Sequence, residues 1–381
     1  MHKRRQLAID ALPLLLQGGI SNYTRPLVEH LIPMAGDKWK IDLIFRITAS
    51  WPRLKSYQLY RRDHYDKRAC FKPFYMLDRW ITMFWEKGYF VPLRWQTGLP
   101  GVFLATTDLV PALKPGARGL VGWVLHDLIP LKTPEYFQGD VNAYARKARE
   151  RAKRTDFIVA VSETTKRDII ELLNYPEDRI VVVYAGAPEV TTQQARPRLA
   201  IKRPYVFYIG GLSRHKNVDG MLRIFARCVH EHGLDYDIVL SGKDFRGQGY
   251  WECLVRELDI KSRVHLTGWI SDDERNALLA RARMLWQFSW YEGFGRPVLE
   301  AAAMGVAVLY TNRGAVHEIL MNSAQEIDPA NEAEAARKAA AALASEEILK
   351  EWGKRGRARA LNFNWTESSR TLLNWIENKF G

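Results

Sequence analysis

The sequence predicts an α/β protein with two doubly wound domains, each built on a parallel sheet. Short apolar runs alternate with amphipathic helical patterns along most of the chain, as is typical of right-handed crossovers between parallel strands. The 381 residues exceed the size of one ordinary core. A polar, proline-flanked stretch over residues 188–204 interrupts the alternation near the middle, which predicts an interdomain linker.

The first domain is expected over residues 1–190. Its predicted strands cover residues 6–11, 40–47, 102–106, 120–125, 156–161 and 179–184. Predicted helices cover residues 21–31, 142–153 and 163–173, and Ser21 or Asn22 is a suitable N-cap for the first of them.

The second domain is expected over residues 200–364. Its predicted strands cover residues 205–209, 236–240, 264–267, 285–288 and 306–310, and its helices 218–232, 250–258, 272–283, 297–304, 331–344 and 346–358. A last helix is predicted over residues 365–379. We expect the domains to face each other across a cleft. Because ligands of open α/β sheets bind beyond the carboxyl ends of the strands, the loops after strands are where the site should lie.

The cysteine content and the lengths of the apolar runs exclude several classes of protein. The three cysteines, Cys70, Cys228 and Cys253, are odd in number and far apart, which argues against a disulfide framework or a structural zinc and favours a reducing compartment. The apolar run 12–16 is too short for a secretory signal and is broken by Pro13. No apolar run approaches the length of a membrane-spanning helix.

The net charge of +13 predicts an anionic partner. Basic and aromatic residues are interleaved between Trp51 and Trp95. One interpretation is a pair of amphipathic helices with aromatic inner faces and solvated basic outer faces. The other is a surface that lies on anionic lipid headgroups, and the sequence leaves both open. A nucleic-acid-binding protein is a third reading of the charge, but the chain carries no recognised nucleic-acid motif.

The segment 292–300 has the composition of a ligand-binding loop that runs into a helix. Gly293 and Gly295 allow close backbone approach, and Pro297 suits the first helical position. N–H groups at a helix start form a site for an anion such as a diphosphate, and Glu292 and Glu300 flank it with acceptors suited to sugar hydroxyls. The alternative is that Glu300 only complements the helix dipole and Glu292 is solvated. The intervening residues favour a ligand with a diphosphate between two polyols.

Residues 289–305 resemble the signature of the family 4 retaining glycosyltransferases of the GT-B fold, which have two Rossmann-like domains. Further segments resemble the same family in the same order: residues 18–23, 124–130, 160–164, 208–217, 266–270 and 363–365. The resemblance covers nearly the whole chain and is weakest over residues 48–100, where such enzymes carry acceptor specificity. It implies that the C-terminal helix 365–381 packs back on the first domain.

The resemblance implies a role for each matching residue. Glu292, with the backbone of Phe294 and Gly295, is expected to hold the sugar, and Glu300 to bind the ribose hydroxyls. Lys216 is expected to neutralise the diphosphate as the nucleotide leaves. His126, at the end of a strand, is expected near the sugar, so Glu292, Lys216 and His126 form the predicted catalytic set.

The remaining predicted contacts with the nucleotide-sugar donor are Gly19, Gly211, Arg214, Val298 and Leu299. Gly211 stands where many family members have an arginine. Whether Arg214 or His215 supplies the missing phosphate cation stays open.

The resemblance further implies a retaining mechanism with no enzyme nucleophile, in which an oxygen of the departing phosphate helps to deprotonate the incoming hydroxyl. No cofactor and no metal are expected. The Asp235-Tyr-Asp237 motif begins a predicted strand rather than ending one, so a polar strand entry is the better interpretation of it.

Residues 126–130 and the Lys-Asn start of the helix after Leu212 look most like those of bacterial mannosyl- and rhamnosyltransferases. The expected donor is therefore GDP-mannose or GDP-D-rhamnose rather than a UDP-sugar. The expected acceptor is a lipid-linked oligosaccharide of lipopolysaccharide O-antigen or another surface polysaccharide. The protein would be cytoplasmic and peripheral on the inner face of the cytoplasmic membrane, with an anionic membrane surface and no nucleic acid among its partners. Alternatives are a nucleotide-sugar epimerase and a pyridoxal-dependent phosphorylase, and the oligomeric state stays open.

Overall fold

The structure is a computed structural model that describes residues 5–36, 38–47, 51–63, 69–75, 101–111, 119–190, 197–247 and 249–380. The described residues form two compact units: 1–128, 141–186 and 364–381 make up the first, and 129–140 and 187–363 the second. The division differs from the expected ranges 1–190 and 200–364 in that residues 129–140 and 187–190 belong to the second unit and residue 364 to the first. Part of the expected linker, residues 191–196, lies outside the described residues.

Within the described residues the first sheet has seven strands, β1 to β7. They are Arg5–Asp10, Trp39–Ile47, Ala69–Tyr75, Val102–Ala105, Leu120–Leu125, Phe157–Ala160 and Ile180–Val182. The order is β3-β2-β1-β4-β5-β6-β7 and every pairing is parallel. β1 lies in the middle, with Leu7 opposite both Ile41 and Val102 and fully buried.

The second sheet has six strands in the described residues, β8 to β13. They are Tyr205–Ile209, Asp237–Ser241, Val264–Gly268, Met284–Gln287, Ala307–Thr311 and Gln325–Ile327. The order is β10-β9-β8-β11-β12-β13, again with parallel pairings. The direction of progression reverses between β8 and β11, which is the point where open α/β sheets bind ligands.

The described helices are α1 to α13 in chain order. They are Gly19–Met34, Trp51–Asp63, Ile129–Lys132, Val141–Lys153, Glu163–Leu173, Val218–His232, Tyr250–Glu257, Asp272–Leu279, Arg296–Met304, Val316–Leu320, Glu332–Leu343, Glu346–Ala360 and Trp365–Phe380. The sequence predicted these helices except α3 and α10, and α2 was expected under one of the two interpretations of residues 51–95. The N-cap prediction was wrong: α1 begins at Gly19 after Gly18, because Ser21 faces the core and is 4% exposed.

Helix α13 lies in the first unit. The Ser369 hydroxyl donates to the Leu27 carbonyl oxygen at 3.3 Å, and the Trp39 indole donates to the Glu377 carboxylate at 2.9 Å. The end of the chain is therefore tied to α1 and β2, which belong to the same unit.

The basic, aromatic stretch is only partly described. It contains helix α2 and then β3, so the expectation of two helices is wrong over residues 69–75. Tyr57 and Tyr60 are buried against Phe45, with ring centroids 5.0 and 5.8 Å away, while Arg61 is exposed. These tyrosines therefore serve the core, and residues 76–100 lie outside the described part. Among the described residues, no helix combines the length and the apolar character that spanning a membrane requires.

Helix α9 is held in place by a close approach of α12. A β-carbon at Gly353 would lie 2.1 Å from the Gly305 carbonyl oxygen, and one at Gly356 would lie 3.3 Å from the Cα atom of Ala302. Both glycines are buried within α12. Because protein interiors are close-packed, this contact fixes the position of α9 and of the loop that precedes it.

Candidate active site

Glu292 lies in the loop after β11 and is 7% exposed. The Lys216 Nζ atom donates to both carboxylate oxygens, at 2.7 and 2.8 Å. The Gln287 amide and the Ser289 hydroxyl donate to Oε1 at 2.7 and 2.6 Å. The structure thus excludes the alternative of a solvated Glu292.

These contacts keep the buried carboxyl group ionised. Burial by itself raises the pKa of Glu292, but the Lys216 ammonium and the hydrogen bonds from Lys216 and Ser289 outweigh it and hold that pKa below its ordinary value. Glu292 is therefore a fixed negative charge at neutral pH, with an oriented carboxylate.

Backbone contacts between neighbouring loops produce this arrangement. The Trp290 N–H donates to the His215 carbonyl oxygen at 2.8 Å, which joins the loops after β8 and β11. The Ala315 N–H donates to the Glu292 carbonyl oxygen at 2.8 Å. Gly314 has φ +77°, and a β-carbon there would lie 2.2 Å from that same oxygen. The chain passes so close to Glu292 that only glycine fits at residue 314.

Glu300, in the first turns of α9, is 5% exposed. Its Oε1 accepts a hydrogen bond from Arg296 at 2.9 Å, and its Oε2 lies 3.6 Å from Nε of Arg275 in α8. Gly295 precedes the helix with φ +90°, a left-handed conformation that glycine adopts without strain. The loop therefore places two buried, cation-paired carboxylates on either side of a helix start.

Two family matches cover most of the chain. Residues 190–359 match the family described as "Glycosyl transferases group 1", and residues 102–189 match "Glycosyltransferase Family 4". The matched segments adjoin and contain every site residue discussed above. Two adjoining parts of the chain are therefore each similar to a glycosyltransferase family.

Relatives of this glycosyltransferase include enzymes of bacterial surface polysaccharides. O-antigen chain mannosyltransferase B of Escherichia coli is 28% identical over 260 residues, which is 65% of this chain and 68% of the relative. Serotype-specific mannosyltransferase WbdA of Escherichia coli is 25% identical over 66% of this chain but only 32% of its own length. The chain thus spans about a third of that relative. MMP alpha-(1->4)-mannosyltransferase of Mycolicibacterium hassiacum is 29% identical over 56% of this chain and 52% of its own.

Solved structures show the GT-B fold for this glycosyltransferase. Sucrose-phosphate synthase from Thermosynechococcus elongatus superposes with a TM-score of 0.75 at 18% identity and covers 99% of both chains. HepE of Anabaena, solved in complex with UDP and glucose, gives a TM-score of 0.71 at 16% identity over 99% of this chain and 100% of its own. The prediction of two Rossmann-like α/β domains of GT-B type is confirmed.

The structure brings together Lys216 and Glu292 but places other predicted contacts differently. Val298 and Leu299 are 0% and 2% exposed, and their N–H groups donate to the Gly295 carbonyl oxygen at 3.1 and 3.4 Å. As in any helix start, the capping carbonyl takes up these donors. A contact of these two residues with a nucleotide sugar would therefore have to come from their backbone and stays a prediction, whereas Phe294 and Gly295 lie in the loop itself.

The two candidates for a second phosphate cation, Arg214 and His215, both lie in the loop after β8 but differ in charge and exposure. Burial and the Lys216 charge lower the pKa of His215 to about 4, against the opposing charge of Glu292, so His215 is neutral at pH 7. Arg214 is exposed and lines a cavity. Lys216, Glu292 and Glu300 are not among the described residues that line this cavity. Gly211 lies in the same loop, where a β-carbon would lie 2.8 Å from the Phe245 ring.

His126 and Gly19 belong to the first unit. The His126 ring lies 5.2 Å from the Tyr23 ring, edge to face, and its Nε2 atom is buried without a hydrogen-bond partner in the described residues. Burial lowers the pKa of His126 to about 4, although a backbone hydrogen bond with Thr106 opposes this. His126 is therefore a neutral imidazole at pH 7. Gly19 is exposed at the start of α1, with open space around its Cα atom.

The aspartates of the Asp-x-Asp motif are both ion-paired. Asp235 accepts from Arg263 at 2.7 Å and lies 3.1 Å from Arg203, and Asp237 accepts from Arg203 at 3.3 Å and contacts His265 at 2.8 Å. These contacts support the interpretation of a polar strand entry. The described residues contain no cluster of three or more histidine, cysteine and acidic side chains able to hold a metal.

Sequence reasoning missed the residues that hold the two glutamates. Gln287 and Ser289, each 1% exposed, bond to Glu292, and Arg275 and Arg296 pair with Glu300. A usable signal existed for Gln287, since an amide at the end of an otherwise apolar strand must find a partner when buried.

Proposed function

We propose that the chain is a retaining hexosyltransferase that moves mannose or D-rhamnose from a GDP-linked donor to a lipid-linked glycan of surface polysaccharide assembly. The buried, ionised Glu292, paired with Lys216 at the topological switch point, carries the proposal. The O-antigen mannosyltransferases among the relatives support the choice of sugar and of acceptor class.

The geometry suits a donor that carries a diphosphate between two polyols. Glu292 would accept hydrogen bonds from sugar hydroxyls, and Glu300 from the ribose. The Lys216 ammonium, which carries a positive charge beside Glu292, would turn toward the leaving diphosphate, where charge accumulates in the transition state. When Lys216 turns, Gln287 and Ser289 still hold the Glu292 carboxylate, and Arg296 holds that of Glu300, so both carboxylates stay oriented as the nucleotide sugar binds.

In this mechanism the enzyme supplies position and charge rather than a nucleophile. The acceptor hydroxyl attacks the face that the nucleotide phosphate leaves, and the departing phosphate oxygen takes the hydroxyl proton. The configuration at the anomeric carbon is then retained, and no cofactor or metal takes part. Product anomer analysis by NMR, with and without EDTA, tests both statements: an inverted product or loss of turnover in EDTA would contradict them.

A thermal-shift panel with GDP-, UDP-, ADP- and dTDP-sugars tests the nucleotide-sugar site. We expect stabilisation by GDP-mannose or GDP-D-rhamnose and loss of most of that shift in Glu300→Ala. Glu334→Ala is the matched control, because Glu334 also pairs with an arginine of its own helix, Arg337, but lies on the exposed outer side of α11. No shift with any nucleotide sugar, or equal shifts in both variants, would remove the site assignment. A shift with UDP-sugars alone would replace the proposed GDP donor.

A further inference from the structure

A cavity of about 440 Å³ opens in the second unit beside the N-terminal end of α6. Its walls come from the turn 134–136, the loops after β8, β9 and β11, and the starts of α6 and α7. Its volume falls in the range of small-molecule sites. Glu292, Glu300 and Lys216 are not among its described lining residues, so the cavity is separate from the site proposed above.

One wall carries a buried polar atom that lacks a partner. Asn217 is 6% exposed, and its amide Nδ2 has no hydrogen-bond partner in the described residues. A buried amide donor without a partner costs free energy. Arg214, three residues earlier, adds an exposed guanidinium that has no ion pair within the described part of the chain. The Asn217 Nδ2 atom has almost no accessible surface, so the Arg214 guanidinium is the unused donor that the cavity presents.

The same cavity presents acceptors next to these donors. Asp219 accepts from Arg246 at 3.2 Å and from the Tyr250 hydroxyl, and the Arg246 guanidinium lies 4.1 Å from the Tyr250 ring centroid. Arg223 pairs with Glu332 at 2.9 Å. Asp219 and Glu332 offset the charges of Arg246 and Arg223, so Arg214 alone among the guanidiniums of the described lining has no carboxylate partner. A neutral ligand with many hydroxyls can both donate and accept hydrogen bonds at such a wall.

An aromatic wall completes the site. The Tyr136 and Trp290 rings stack with centroids 5.6 Å apart and an interplanar angle of 3°, and Arg313 lies 5.2 Å from the Trp290 ring centroid. Aromatic side chains supply a rigid apolar surface at low cost in conformational entropy. A flat apolar wall beside alternating donors and acceptors suits a sugar ring, which has both apolar C–H faces and equatorial hydroxyls.

We infer that this cavity is a second glycan-binding site that takes a neutral, hexose-containing oligosaccharide, a segment of the acceptor chain away from the reacting hydroxyl. The inference rests on the proposed function for the identity of the glycan. Arg214, Arg223 and Asp219 bind the hydroxyls, and a sugar ring lies against the Tyr136 and Trp290 side chains.

The probe is linear α-linked mannotetraose, titrated by calorimetry into the full chain without nucleotide. We expect saturable binding that weakens about tenfold in Arg223→Ala, the loss expected for one hydrogen bond to a charged group. Arg227→Ala is the matched control: it lies one turn later on α6 and pairs with Glu231, but it is not among the described lining residues of the cavity. Arg214→Ala is the second test, because it removes the exposed guanidinium of the lining, and we expect a similar loss of affinity.

Three outcomes would overturn the inference: no saturable binding of mannotetraose, equal affinities in Arg223→Ala and Arg227→Ala, or displacement of mannotetraose by millimolar inorganic phosphate, which would mark an anion site. The nucleotide-sugar thermal shifts are measured on the same samples. If the wild type responds to nucleotide sugars but not to mannotetraose, the second site alone is wrong. If nucleotide sugars do not bind, the proposed function is wrong, and the identity of the glycan that rests on it is wrong too.

Discussion

At the scale of single residues, Glu292 is shaped as much by its partners as by its own chemistry. Lys216 balances its charge, while Gln287 and Ser289 direct one oxygen. Hydrogen bonds to a carboxylate favour its ionised form. Gln287 is thus a positioning residue for the Glu292 carboxylate.

The variant Gln287→Leu removes one of these hydrogen bonds at nearly the same volume. We expect the pKa of Glu292 to rise and kcat/KM to fall roughly tenfold. The acidic limb of the pH–rate profile should shift to higher pH, because the ionised carboxylate then persists over a narrower range. Gln325→Leu, at the half-buried start of β13, is the control. A lower rate with an unmoved acidic limb would mean that Gln287 only supports the fold.

We expect the buried His126 side chain to make the free energy of unfolding depend on pH. Its pKa of about 4 in the folded protein lies below the ordinary value of 6.5, so the unfolded chain binds more protons between these two values. The free energy of unfolding should therefore fall as the pH drops from about 6.5 to 4, by about 3 kcal/mol in total. Above pH 6.5 the residue is neutral in both states and has no effect.

Chemical denaturation at pH 7.5 and pH 4.5 measures this loss. His126→Gln should lose less stability over that interval than the wild type. The exposed His232→Gln variant should keep the wild-type difference. If His126→Gln keeps it too, the imidazole is not buried as described.

At the scale of secondary-structure elements, the site depends on loops that touch at the carboxyl edge of the second sheet. The loop after β12 passes over the backbone of Glu292 at Gly314, and the Thr311 hydroxyl donates to the Ser289 carbonyl oxygen at 2.6 Å. The β11 loop is thus enclosed between its neighbours, so its conformation is set before the nucleotide sugar arrives.

Gly314→Ala tests this contact. The β-carbon would meet the Glu292 carbonyl oxygen at 2.2 Å, so we expect the loop to move. The free energy of unfolding should fall, and nucleotide sugars should no longer raise the melting temperature. Gly233→Ala is the matched control, since Gly233 has a similar φ of +64° but nothing within 4 Å of the added atom. The control should lose only about 1 kcal/mol from backbone strain. Equal losses in both variants would show that strain, not the contact with Glu292, governs the effect.

At the scale of the whole molecule, part of the positive charge that gives the chain its net charge of +13 lies on the exposed side of one described helix. Helix α4 buries Ala145, Ala148 and Ala152 and exposes Arg146 and Lys153 on its outer side. This face gives the first unit a basic surface, and such a surface attracts anionic lipid headgroups through a screened interaction.

Flotation with phosphatidylglycerol vesicles tests membrane attachment. We expect binding at low salt, release near 1 M salt and no binding to phosphatidylcholine vesicles. Reversal of charge at Arg146 and Lys153 should weaken binding more than the same reversal at Lys354 and Arg355, two exposed residues of α12. If the protein binds the vesicles neither at low salt nor at high salt, a membrane surface is not its partner. Equal effects of the two reversals would assign attachment to the net charge alone.

The sequence determined much of this protein by itself. Apolar runs and helical periodicity predicted 11 of the 13 strands in the described residues and the double α/β architecture, because burial on a parallel sheet imposes a pattern that is readable locally. It missed β3 and β13 because Lys72 and Pro73 interrupt one apolar run, while β13 has only three residues. The Glu292–Glu300 segment predicts a site through its glycines, proline and acidic pair, and the structure shows both carboxylates buried and paired with cations.

Only the tertiary structure decided what surrounds those residues. The ion pair between Lys216 and Glu292 joins residues 76 positions apart, and the Gly314 contact comes from yet another loop. Burial likewise turned His215 into a neutral group and took Val298 and Leu299 into the core. Such properties follow from neighbours that are distant in the sequence, and local patterns do not encode the dielectric surroundings or the partners that a folded chain brings together.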